Sequence, residues 1–206
     1  MQKKKTQMFS ISFQNVSNDK KTMQVFINDT LEKVVAKSIF RTLLKTTMTF
    51  ETKQEAEKWL FEKEVRLAKS YAYFLLSLKN YPSSSLQQKL QEKQVSSPAI
   101  QEVMNHLHQS KYVNDEKWLE TFVESQLKRG WGPIAIFFKL KQKKINMPNL
   151  QEKIARIATL EKQQEAISSF MQKQKIDPQK LALKLRQKGF DSSVVAQVFV
   201  DKQLGR

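Results

Sequence analysis

An apolar ladder with the spacing i, i+4, i+9, i+14 occurs three times in this chain: Leu86, Leu90, Val95, Ile100; then Ile136, Leu140, Ile145, Leu150; then Leu181, Leu185, Phe190, Val195. The copies are offset by 50 and 45 residues, too far apart for a two-helix repeat of about 34 residues and suited to three short helices. The step of four places two side chains one turn apart on the same helix face. The step of five crosses a turn. A chain written this way is expected to be mainly α, an elongated and curved tandem array of three three-helix repeats, each burying its ladder against a neighbour.

Residues that start and stop helices agree with the ladder. Pro133 behind Gly132 suits the first helical position, and Asp177-Pro178 repeats the arrangement with Asp as cap. Ser97-Pro98 and Met147-Pro148 are read as opening the third helix of the first two units, and Gly189 as ending a helix in the third. The expected helices are 61–79, 84–93 and 97–110, then 115–129, 133–144 and 148–157, then 160–174, 178–188 and 192–204. Near residue 158 no Gly, Pro or Asn marks a break, so the two helices there also read as one. The repeats are assigned to 61–111, 112–158 and 159–206.

Residues 1–60 read differently, as an accessory segment. Met8–Phe13 and Met23–Ile27 alternate apolar and polar around a polar, turn-like stretch, which predicts a β-hairpin. A lone hairpin is marginal in water. Leu31, Val34, Val35, Ile39 and Leu43 form a stripe that predicts a helix over 30–44 for it to lean on.

Charge constrains the partner. Lys and Arg number 36 against 20 acidic residues, a net charge of +16 that favours a polyanion or an acidic protein surface. No acidic residue lies between Glu124 and Glu152, whereas Lys128, Arg129, Lys139, Lys141, Lys143 and Lys144 do. In register, a Lys-x3-Lys pair recurs in the second helix of each unit: Lys89 and Lys93, Lys139 and Lys143, Lys184 and Lys188. Like charges four apart share a face and destabilise a helix by about 0.2–0.5 kcal/mol. A solvated lysine face is the plainer account, and recurrence in all three units favours an anionic partner.

Catalytic signatures are absent. His106 and His108 are two apart on an expected helix and so face different ways, which is wrong for a shared metal. With four glycines there is neither a dinucleotide fingerprint nor a phosphate-binding loop. Asp115, Glu116, Glu120 and Glu124 lie along a helix start, where carboxylates favour the dipole. There is no cysteine, so no disulfide or thiolate metal site can form. Apolar runs such as Ile134–Phe138 are far too short to span a bilayer. Neither cofactor nor metal is expected, and the chain reads as a soluble, cytoplasmic monomer without enzymatic activity. Phe122 and Phe137 are expected in the core. Trp131 is read equally as core or as a surface for stacking bases.

The run Tyr112-Val113-Asn114-Asp115, with Trp118, Phe122 and Val123, then Lys128-Arg129-Gly130-Trp131-Gly132-Pro133 with Ile136, Leu140 and Ile145, resembles the RecX family of bacterial recombination regulators. Its members carry an acidic helix start, an aromatic-rich helix, an R-G-aromatic-G-P turn and a helix ending in L-x4-I. The resemblance is most specific over 112–146 and looser over 64–204. Lys144 departs from it, since many members have Gly there. The hairpin belongs to longer members only.

The resemblance implies a modulator of the RecA recombinase filament on single-stranded DNA in homologous recombination, DNA repair and the SOS response. Such proteins lodge in the filament groove, bridge protomers, and depress ATP hydrolysis and strand exchange. Independently of the family, the charge register selects Arg129, Trp131, Lys139, Lys143, Lys184 and Lys188 as contacts to filament or DNA, single- or double-stranded. Gly130, Gly132 and Pro133 are expected to shape the turn. A basic nucleic-acid-binding protein without a RecA target and a structural adaptor are the competing readings.

Overall fold

The alternating segments of the N-terminal end pair as strands, β1 (Phe9–Asn15) and β2 (Thr22–Ile27), with Ile11 opposite Ile27 and Phe13 opposite Val25. The computed structural model describes residues 8–16, 19–172 and 178–204, apart from the side chains of 178–179 and 201–204. The expected helix over 30–44 is not formed. Asn28 and Asp29 both have positive φ, 45° and 61°, the mirror-image turn that matches strand twist. The chain therefore returns as β3 (Thr30–Ala36), paired with β2. The helix-like spacing was coincidental: Leu31 and Val34 are exposed, and only Val35, Ile39 and Leu43 of the stripe are buried. Helical structure there is confined to α1 (Lys37–Phe40) and a 3₁₀ turn at Arg41–Leu43. A further strand, β4 (Thr47–Phe50), pairs with β1, giving an antiparallel sheet of order β3-β2-β1-β4.

Helix α2 (Lys53–Leu78) begins eight residues before the expected start, because Thr52 and Glu55 form a reciprocal cap. Trp59 on its first half packs against Phe13 and Phe50 of the sheet, with ring centroids 6.4 and 5.7 Å away. The sheet, α2, α3 (Ser83–Glu92) and α4 (Ser97–Gln109) thereby share one core. Glu64 of α2 is 1% exposed inside this unit. Its carboxylate accepts from Lys33 Nζ on β3 (2.6 Å) and from the N–H (3.0 Å) and hydroxyl (2.8 Å) of Ser96, just before α4. Full pairing is what makes a buried carboxylate tolerable.

By its internal contacts the chain divides into Met1–Val113 and Asn114–Arg206. The second unit holds α5 (Asp115–Lys128), α6 (Pro133–Gln142), α7 (Leu150–Ile157), α8 (Leu160–Gln172), α9 (Pro178–Gln187) and α10 (Ser192–Leu204). Every residue of the three ladders is buried. The step of five has one geometry in all copies. Gln94, Lys144 and Gly189 adopt φ of 57°, 56° and 83°. The next N–H, of Val95, Ile145 or Phe190, donates to the carbonyl of Leu90, Leu140 or Leu185 at 3.2, 3.0 and 3.2 Å. This is the left-handed helix stop that glycine adopts most readily. Lys144 therefore makes the same tight turn as Gly189.

Of the two remaining boundaries, one differs from expectation and the other resolves an open reading. Pro148 precedes α7 instead of opening it, because Asn149 is left-handed (φ 51°) and the helix begins at Leu150. The unmarked junction near 158 is a real break: Ala158 leaves helical geometry, and the Thr159 hydroxyl accepts the N–H of Lys162 at 3.4 Å to start α8. The expected cap Asp177, and the last residues expected for the helix ending at 174, lie outside the described residues.

Candidate polyanion-binding site

Glycines assemble the site. Gly130 ends α5 with φ 75°, and a Cβ there would stand 2.9 Å from a ring carbon of Phe170. Gly132 caps α6, and a Cβ there would lie 2.3 Å from the carbonyl oxygen of Gly189. That close approach allows the N–H of Gly132 to donate to Lys188 O (2.8 Å) and the N–H of Ile134 to Gly189 O (3.2 Å). The α5–α6 turn of the second repeat is thus bonded to the α9–α10 turn of the third. Residues far apart in the sequence meet as a result.

Trp131 sits at that meeting point, half-buried against the core of the second unit. The ammonium of Lys139 lies 3.4 Å from the centroid of its rings and that of Lys188 lies 4.2 Å away. Cation–π attraction of about 0.5–2 kcal/mol each offsets part of the cost of crowding two like charges. Lys139 also donates to Gln126 Oε1 at 3.2 Å, and Gln126 is 7% exposed. Burial, and after it the proximity of Lys188 and Arg129, hold the Lys139 ammonium below the usual lysine value. Burial and then Lys184 do the same to Lys188. Phe170 of α8 extends the arrangement, with Lys188 at 4.9 Å and Lys184 at 5.6 Å from its ring.

Beside this cluster runs an open groove of about 440 Å³ lined by Phe122, Gln126, Arg129, Lys139, Gln142 and Lys143. Among the described residues, no carboxylate pairs with Arg129, Lys139, Lys143 or Lys188. Two of the four carboxylates of α5 are engaged elsewhere, Glu116 with Lys153 and Glu124 with Lys162. The fold has brought cations together while two nearby anions pair with other lysines, an arrangement with a positive field.

All six residues selected from the sequence for contact, Arg129, Trp131, Lys139, Lys143, Lys184 and Lys188, fall in or beside this cluster. The pair Lys89 and Lys93 belongs to the first unit, where it lies near the rings of Tyr81 and Tyr71. Sequence reasoning missed Gln126 and Phe170. Phe170 had a signal, since it lies four residues after the buried Ala166 on α8. Gln126 had none, for a buried glutamine looks like a solvated one until its partner is placed. Phe122 and Phe137, expected in the core, are half-buried and packed against it.

His106 bonds Tyr73 (2.8 Å) and His108 bonds Ser83 (3.1 Å), two separate partners, as their spacing requires. Among the described residues no group of metal-ligating side chains is found, and no helix is long and apolar enough to cross a membrane.

No protein-family model matches the chain. Regulatory protein RecX of Caldanaerobacter subterraneus subsp. tengcongensis is 30% identical over 131 residues, which cover 62% of this chain and 66% of that protein. Regulatory protein RecX of Bacillus subtilis is 27% identical over 142 residues, covering 65% and 54%. The chain thus spans between about half and two thirds of the length of these relatives. The crystal structure of RecX from Lactobacillus salivarius superposes with a TM-score of 0.62 at 20% identity, covering 69% of this chain and 99% of that one. A crystal structure of a regulatory protein RecX superposes with a TM-score of 0.58 at 19% identity, covering 92% and 98%. At such identities the structural likeness speaks for the fold.

Proposed function

We propose that this chain, which belongs to the RecX family of regulatory proteins, is a non-enzymatic regulator that binds RecA recombinase filaments on single-stranded DNA and slows their ATP hydrolysis and strand exchange. The observation that carries the reading is the convergence of Lys139 and Lys188 on Trp131, with Arg129 and Lys143 along the same groove. A nucleoprotein filament offers phosphates and acidic protein surface together, and the cluster suits either. Both Trp131 and Phe170 already have ammonium groups against their rings, which favours contact to phosphate over stacking on bases. If the four cations each meet a phosphate of single-stranded DNA, the logarithm of affinity falls with that of salt with a slope of about −3.

The test is ATP hydrolysis by preformed RecA filaments at fixed DNA, with rising amounts of this protein. Suppression at amounts well below the recombinase supports filament targeting. Suppression only when the DNA itself is saturated turns the reading into the runner-up, a basic nucleic-acid-binding protein, which the same cations support. Binding that survives charge reversal at Lys139, Lys143, Lys184 and Lys188 would instead favour an adaptor.

A further inference from the structure

The first unit carries a second concentration of positive charge, in a different setting. A cleft of about 930 Å³ opens between the β1–β2 connection, the junction of β3 with α1, and the end of α3. The connection supplies Lys20 and Lys21, the junction supplies Lys37 and Arg41, and the end of α3 supplies Lys93. The walls are held by the backbone. Lys37 N–H donates to Lys21 O (2.8 Å) and Ala36 N–H to Lys93 O (3.4 Å), so the backbones that carry Lys21, Lys37 and Lys93 are tied together around one concavity.

Two carboxylates share the lining, Asp19 and Glu92, so it carries five cations against two anions. Asp19 accepts from the N–H of Lys21 and the hydroxyl of Thr22, at 2.7 and 2.6 Å, and so completes its own turn. Glu92 accepts from Gln88 one turn earlier on α3. Among the described residues none of the five cations forms an ion pair. Like charges gathered around a concavity focus the field and raise the local concentration of a polyanion.

We propose that this cleft binds the phosphate backbone of DNA, as a site separate from the Trp131 cluster. The lining has no aromatic ring on which a base can stack, and its apolar residues are Ala36 and Leu44. Recognition therefore runs through phosphate alone, and duplex and single strand are both ligands. A flat anionic membrane fits the concavity poorly. An acidic protein surface would find few apolar anchors in it.

The test uses the full chain and fluorescent oligonucleotides, a single-stranded homopolymer and a duplex of equal length, titrated at several salt concentrations. The variant K21Q/K37Q/R41Q is compared with K21R/K37R/R41K, which keeps the charges. The first should weaken binding to both DNAs about tenfold or more and make the salt slope shallower by about 2 to 3. The second should match the parent. The combination with K139Q/K188Q should bind DNA more weakly than either variant alone, as expected when both clusters contribute. Unchanged affinity and slope in K21Q/K37Q/R41Q would overturn the proposal. So would an equal loss in the charge-keeping variant.

Discussion

The N–H of Gly132 donates to the carbonyl of Lys188 across 2.8 Å, which holds the Lys188 main chain beside the turn carrying Trp131, and its ammonium lies 4.2 Å from that ring system. A Cβ on residue 132 would lie 2.3 Å from the Gly189 carbonyl oxygen and 2.4 Å from Phe190 N, both backbone atoms. Gly132→Ala should therefore separate the two turns, costing about 1–3 kcal/mol or more of stability. Equilibrium urea unfolding measures it. Pro133→Ala at the next position should cost far less, and equal losses would show that the close approach is not what matters.

Lys139 illustrates a conflict between stability and binding. Because burial and its cationic neighbours hold its ammonium low, the folded protein binds this proton less readily than the unfolded chain. Stability should accordingly rise as pH climbs from the lowered folded value to the ordinary lysine value of about 10.5. Lys139→Gln should lose that rise while weakening affinity for single-stranded DNA severalfold. Thermal midpoints across alkaline pH and a binding titration give the two readouts. A variant that loses stability and retains full binding would contradict the assignment.

The three left-handed helix stops make a comparative prediction. Gln94 and Lys144 occupy a conformation that costs an L-residue about 1–2 kcal/mol, partly offset because glycine loses more chain entropy on folding. Gln94→Gly and Lys144→Gly should each stabilise their unit by about 0.5–1 kcal/mol, whereas Gly189→Gln should destabilise. In that last case a Cβ would also meet Ala135 N at 2.3 Å. Denaturation midpoints of the three variants decide it, and uniform signs would be the wrong outcome.

The Glu64 network should respond asymmetrically. Lys33→Met leaves a carboxylate 1% exposed without its cation, and a loss of about 3–5 kcal/mol is expected. Glu64→Gln keeps an acceptor for Ser96 and frees Lys33, itself 24% exposed, to reach water, so its cost should be near ~1–2 kcal/mol. Chemical unfolding of both variants tests the order. The reverse order would mean that Lys33 contributes little as a counter-ion.

What could be read from residue order alone was whatever depends on near neighbours. The spacing of Ile136, Leu140 and Ile145 reports helix period and turn in one line of text, and Pro133 and Gly189 mark boundaries because their backbone preferences are local. The lysine register likewise follows from helical geometry. Where two local signals competed, the text misled: the apolar spacing from Leu31 to Leu43 mimicked a helix, while the Asn28-Asp29 turn and pairing with β2 made most of it strand and turn. Tertiary structure alone decided that Lys139 and Lys188, on different repeats, would press on one indole, and that Gln126 and Glu64 would be buried acceptors. Contacts of that kind depend on how helices dock after they form, and docking distances are set by side-chain volume and glycine gaps summed over many residues, not by any short run of them.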